Sequence, residues 1–145
     1  MIEAYSIEIS NRQSSFPIDQ HGFRKAVALV LSESDFLSAE ISLSFVGDQE
    51  MHRLNVEFLG HDYPTDVLSF PLAKESRSLV GEIIVSVDTA ARECNSHGLN
   101  AIEELMLYVV HGILHLVGYD DKSEESRSVM RAKEEYYMEK LGVEL

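Results

Sequence analysis

Leu105-Met106-Leu107-Tyr108-Val109-Val110-His111-Gly112-Ile113-Leu114-His115-Leu116-Val117 is apolar on every helical face apart from two histidines and one glycine. A helix that is apolar all round is a buried one, and this run falls short of the roughly 18 residues that a membrane span requires. It is therefore read as the central helix of the fold, packed between a sheet and other helices. His111 and His115 stand one turn apart on it. Residues at i and i+4 share a face with Cβ atoms about 5–6 Å apart, close enough for two imidazoles to hold one metal ion. An imidazole nitrogen left unpaired among Leu and Val costs about 1–3 kcal/mol. Each histidine thus needs a ligand or a hydrogen bond, and the spacing alone leaves a metal pair and a hydrogen-bonded core pair both open. Gly112, which costs about 1 kcal/mol against alanine inside a helix, marks the close approach of another group.

Beyond this run the helix stops at Gly118, and Tyr119-Asp120-Asp121 turns the chain. That turn can return a carboxylate over the histidines as a third ligand, and two His plus one carboxylate with a fourth position open is a catalytic zinc pattern. Asp121 has a competing role: with Glu124 it forms the Asp-x-x-Glu capping box of the last helix. Its two oxygens allow both. No Glu follows His111, so the general base of the zinc-protease signature is missing from its place. Among the other histidines, His21 and His52 are read as solvated, whereas His61 and His97 sit at turns and either approach the site or face water. The helix from Ser123 onward carries Glu124, Glu125, Glu134, Glu135 and Glu139 and is read as a solvated charged face.

Upstream, Tyr5, Ile7 and Ile9 alternate with polar residues, as do Ile41, Leu43 and Phe45, which predicts two half-buried strands. Between them Asp19 caps a helix through Phe23, Ala26, Val27, Val30 and Leu31, the pattern of a parallel crossover. Gly47-Asp48 is read as a turn and N-cap for a helix that Gly60 stops. A short strand, Val67 to Phe70, is bounded by Pro64 and Pro71; a mobile loop covers Lys74 to Ser78; and Ile83, Val85 and Val87 mark a fourth strand. Asp88 or Thr89 caps the next helix, and the central helix starts near Asn100. The expected architecture is α+β: one domain over residues 1–145, with a mixed four-stranded sheet packed against about five helices and the buried central helix carrying the His pair.

The chain has 145 residues, 12 Lys and Arg against 25 Asp and Glu, a net charge of −13, one Cys and no Trp. A lone Cys94 closes no intrachain disulfide, and Met1-Ile2-Glu3-Ala4-Tyr5 lacks the basic and apolar regions of a signal peptide. Both features predict a cytoplasmic protein without a membrane segment. A charge of −13 argues against generic nucleic-acid binding, which draws its affinity from Lys and Arg on phosphates. Any RNA contact must be local, through a bound cation or a partner protein.

The run His111-Gly112-Ile113-Leu114-His115-Leu116-Val117-Gly118-Tyr119-Asp120, with Asp121 after it, and the run Pro64-Thr65-Asp66-Val67-Leu68-Ser69-Phe70-Pro71 resemble the two signatures of the YbeY family of bacterial ribosomal-RNA maturation factors. Gly81-Glu82-Ile83 through Ala90 fits the family's last strand and following helix, and Leu54-Asn55 fits the helix before the first signature. The resemblance implies a single α+β domain and a zinc-dependent endoribonuclease for single-stranded RNA. Its expected roles are maturation of the rRNA 3′ end and ribosome quality control, with the small ribosomal subunit and its proteins as partners. It implies three metal ligands: His111, His115 and the position of Asp121. The family usually has His at the third position, so Asp121 leaves room for another divalent metal. Many members have Arg where this chain has Leu59, and Arg53 or Lys74 is the candidate replacement for that phosphate-binding group.

On this reading a zinc-activated water attacks the phosphodiester. Asp66 orients that water or a ligand histidine, or else makes only a local turn bond. Thr65 and Ser69 line the substrate pocket or serve as backbone partners. Two alternatives stay open: a non-catalytic ribosome-assembly factor with a structural metal, and a metal hydrolase of another substrate.

Overall fold

The computed structural model of the chain describes residues 4–61 and 65–145. Pro64 and the first three residues, to which the sequence assigned roles, lie outside that range. The elements run β1 (Ala4–Asn11), α1 (Gln20–Ser32), β2 (Ser38–Val46), α2 (Asp48–Leu59), β3 (Val67–Glu75), β4 (Ser78–Ser86), α3 (Val87–Glu93), a 3-10 turn (Cys94–His97), α4 (Ala101–Leu116) and α5 (Glu124–Lys140). One mixed sheet has the order β1-β2-β4-β3, with β1, β2 and β4 parallel and β3 antiparallel at an edge. The expected α+β architecture, with four strands and five helices, is the one observed.

The two faces of the sheet bury unequal cores. Ile41, Leu43, Ile83 and Val85 pack with α1, α4 and α5 in the larger one, whereas Ile84 and Leu68 pack with Met51 and Leu54 of α2 in a smaller one. Successive strand residues face opposite sides, so Val67 and Ser69 of β3 turn toward α4. There they meet Gly112. A Cβ built at Gly112 would lie 2.8 Å from Ile83 Cγ2, 3.1 Å from Ser69 Oγ and 3.3 Å from Val67 Cγ2. The close approach that this glycine marks is that of the sheet itself, and it lets the histidine-bearing turn of α4 lie directly on β3.

Several local expectations are corrected. Lys74 to Ser78 is not a loop: β3 continues to Glu75 and β4 starts at Ser78, with Lys74 opposite Leu79 and Glu75 opposite Ser78. Only Ser76 and Arg77 turn, Ser76 taking the left-handed φ of 53°. The ladder and the bonds from Leu37 and Ser38 N–H to the Arg77 carbonyl order this polar hairpin without an apolar face. Helix α3 is capped by Ser86, which accepts from Thr89 N–H, and not by Asp88 or Thr89; Val87 already belongs to the helix. Asp88 instead accepts from Asp48 N–H and so caps α2 from a neighbouring element, Gly47 being that helix's N-cap. Asp19 caps α1 as expected; α4 starts beside Asn100 as expected, and Asn100 proves to be its N-cap, in a capping box with Glu103.

Candidate metal centre

Helix α4 ends in a tight reversal. Gly118, with φ 118°, donates to the His115 carbonyl, and Tyr119 N–H donates to that of Leu114. This is the Schellman arrangement, in which a glycine in a positive-φ conformation satisfies the last carbonyls of the helix. It throws the chain back over the last turn, and Asp121 arrives above the histidines. Asp121 does not cap α5: Ser123 does, in a reciprocal pair with Ser126. The helix begins two residues later than a cap at Asp121 would place it, which leaves that carboxylate for His111 and His115.

His111 Nε2 and His115 Nε2 lie 3.0 Å apart, and Asp121 Oδ2 is 3.7 Å and 3.6 Å from them. Zinc–nitrogen and zinc–oxygen bonds of about 2.0–2.2 Å in a tetrahedron separate neighbouring ligand atoms by roughly 3.3–3.5 Å. The triangle brackets that value. Among the described residues these three side chains form the one group of His, Cys, Asp or Glu ligand atoms close enough to share an ion.

Glu134 of α5 completes the arrangement, with Oε2 2.5 Å from His111 Nδ1. A carboxylate only accepts, so the neutral imidazole carries its proton on Nδ1 and keeps the Nε2 lone pair for the centre. Reading the whole of α5 as a solvated face missed this residue. Its signal was available: Met130, Glu134 and Met138 recur at i, i+4, i+8, and both methionines are buried. Burial lowers the pKa of His111, but Glu134, Asp121 and Asp66 more than reverse this, and the net shift is upward. His115 is shifted down, by burial and by the neighbouring His111, with Asp121 opposing.

The triad lies in an open cleft of about 580 Å³ between β3 and the α4–α5 turn, lined also by Leu59, Asp66, Ser69, Phe70, Lys74 and Lys122. Asp66 Oδ1 accepts from Val67 N–H at 2.7 Å and lies 3.4 Å from Thr65 Oγ1, so the local turn bond and the cleft position coexist. Ser69 lines the cleft and also donates to the Gly112 carbonyl at 3.2 Å. Thr65 is half-buried beside Asp66. Arg53 is not brought to the cleft: it is exposed on α2 and paired with Glu57 at 3.1 Å. Leu59 and Lys74 do reach it. His97 turns to Glu104 instead, and His61 is exposed, its N–H closing α2 on Asn55.

Comparison with known proteins bears on the same residues. The Endoribonuclease YbeY family profile matches residues 8–142. The chain is 46% identical to Endoribonuclease YbeY of Rhodopirellula baltica over 107 residues, which are 72% of this chain but 55% of that longer one. It is 43% identical to the Chlorobium phaeovibrioides protein of that name over 82% of this chain and 80% of the other. Identity to the Desulforamulus reducens protein is 37%, over 95% and 98%. The solution structure of a protein from Thermotoga maritima superposes with a TM-score of 0.68 at 27% identity, covering 93% of this chain and 88% of that one. The matched span runs from β1 to the end of α5 and takes in both signature segments together with the His-His-Asp cluster, and the chain belongs to the YbeY family.

Proposed function

We propose that the protein is a metal-dependent endoribonuclease that hydrolyses phosphodiester bonds of single-stranded RNA, with zinc as its ion and rRNA 3′-end maturation as its setting. The convergence of His111, His115 and Asp121 at the floor of an open cleft carries this reading. The donor set fits a divalent ion of the zinc type: two imidazole nitrogens, one carboxylate oxygen and an open side facing solvent. Bound there, such an ion supplies Lewis-acid activation of a phosphodiester and of water. The chain's own residues do the rest. Glu134 holds His111 in the tautomer that presents Nε2. Asp66, its Oδ1 fixed by the Val67 amide, offers a carboxylate within the cleft to orient the attacking water. Ser69 ties β3 to α4 through the Gly112 carbonyl and keeps the cleft wall in register with the histidines.

The same three ligands without turnover would make an assembly factor, so cleavage decides between the readings. Purified protein loaded with zinc should cut single-stranded RNA, and His115→Ala should not. RNA binding by the loaded protein without any cleavage would overturn the enzyme reading. The proposed setting is the cytoplasm and the small ribosomal subunit; among the described residues no helix is long and apolar enough to cross a membrane.

A further inference from the structure

A chain of charge −13 has few cations to offer a phosphate backbone, and where they lie indicates where to look. Of the 12 Lys and Arg, most are committed. Arg12, Arg53 and Arg92 are paired with Glu50, Glu57 and Asp48. Arg24, Arg77 and Arg127 donate to the carbonyls of Ile7, Asp35 and Asp121. Lys133 and Lys140 lie over the Tyr136 ring. Lys25, Lys74 and Arg131 have no such contact among the described residues, and Lys122 has only the charge of the exposed Asp120 beside it. Two of these, Lys74 and Lys122, line the one cleft that holds the His-His-Asp centre, Lys74 from the β3 wall and Lys122 from the α4–α5 turn.

A second, independent feature adjoins the same cleft. Phe58 and Leu59, exposed large hydrophobics at the end of α2, form a patch beside Phe70 of β3. Within this patch Phe58 is 57% exposed. Its ring lies 5.5 Å from that of Phe70, which lines the cleft. Unstacked bases pack on exposed aromatic rings, and this contact works for any base because every base has a π-face. A duplex keeps its bases stacked on one another and has none to offer.

We infer that the cleft rim is a single-strand subsite in which Lys74 and Lys122 hold backbone phosphates flanking the centre while the Phe58 and Phe70 pair stacks an unpaired base. This rests on the endoribonuclease reading and adds to it which residues hold the strand, and it predicts weaker binding of a duplex, which has no unpaired base to stack. Two phosphate contacts make a small electrostatic term, so the salt dependence is shallow and stacking contributes at least as much to the affinity.

The test uses the zinc-loaded full chain, with a mixed-sequence RNA oligonucleotide offered single-stranded and as a duplex. At about 0.7 per phosphate contact for single strands, the slope of log affinity against log salt should be near −1.4 for the wild type and near zero for the Lys74→Ala/Lys122→Ala double variant. The double variant should raise KM about tenfold with kcat within about twofold, and Lys74→Arg/Lys122→Arg should restore both slope and KM. Phe58→Ala should raise KM for the single strand about tenfold or more with the salt slope unchanged, and Phe58→Trp should restore it. Lys25→Ala, an uncommitted cation away from the cleft, should change nothing. If the wild type cleaves single strands and these variants match it in KM and slope, or Lys25→Ala shifts them equally, the subsite is wrong and the enzyme reading stands. If the wild type neither binds nor cleaves single-stranded RNA, both fall.

Discussion

Helix α4 takes part in two histidine–carboxylate pairs, one near its start and one toward its end, and they differ in every respect that matters for chemistry. At the start, the Glu104 side chain is wholly buried and both of its oxygens lie 2.8–2.9 Å from Nδ1 of His97, which is 52% exposed. The carboxylate is inside and the imidazole is its lid. Toward the end both partners are largely buried, Glu134 at 16% and His111 at 24% exposure: Glu134 reaches in from α5 behind His111, and the remaining ring nitrogen faces a second histidine, an aspartate and an open cleft. A histidine–carboxylate pair is therefore not a site by itself. What distinguishes the second is that the carboxylate holds one nitrogen and leaves the other to converge with further donors on accessible space.

The largest effect expected from this contrast is on metal content. His111→Ala should bring bound zinc and RNA cleavage down to background by elemental analysis and gel assay, whereas His97→Ala should leave both intact. Glu134→Gln should weaken zinc affinity about 10–100-fold in chelator competition, since partners that orient ligand histidines carry that much, and Glu104→Gln should not change it. Glu104→Gln should instead lower folding stability by about 1–3 kcal/mol in denaturant titration, the cost of a disturbed buried hydrogen bond. Gly112→Ala should cost a similar 1–3 kcal/mol by overpacking against Ile83 and Val67.

The smallest effect is a splitting of titrations in the metal-free protein. NMR should place His111 above and His115 below the ordinary histidine value of 6.5. A raised folded-state pKa means that His111 contributes stability below the unfolded value and loses it as pH rises through the folded one. His115 acts in the opposite sense, contributing above the unfolded value and losing it as pH falls. In Glu134→Gln the His111 value should drop, because the carboxylate that favours its charged form is gone.

Much of this was legible in the residues, and the exceptions have physical causes. The period-two strands Tyr5–Ile9 and Ile41–Phe45 and the all-apolar α4 announce themselves because burial dictates their composition. The hairpin around Ser76 does not, since Lys74, Glu75, Arg77 and Ser78 are exposed and the turn is held by its ladder and by polar bonds to residues 35–38, which leave no apolar period to read. Asp88 capping α2 was beyond reach, for it acts on a helix distant in sequence. Spacing and the Gly118 stop offered a His-His pair and a returning Asp121, with a core pair and a helix cap left open, and only the resemblance to the YbeY signatures favoured the ligand reading. Glu134 was hidden by its acidic neighbours although it lies in line with Met130 and Met138. In an acidic helix, the charge to notice is the one that falls on the apolar stripe.

The central claim is that His111, His115 and Asp121 form one metal centre, and titration of the metal-free chain with zinc followed by elemental analysis after desalting tests it most directly. The account predicts about one zinc per chain in the wild type and in His97→Ala, and none retained in His115→Ala or Asp121→Ala. Wild-type protein that holds no zinc, or His115→Ala that holds as much as wild type, would contradict it.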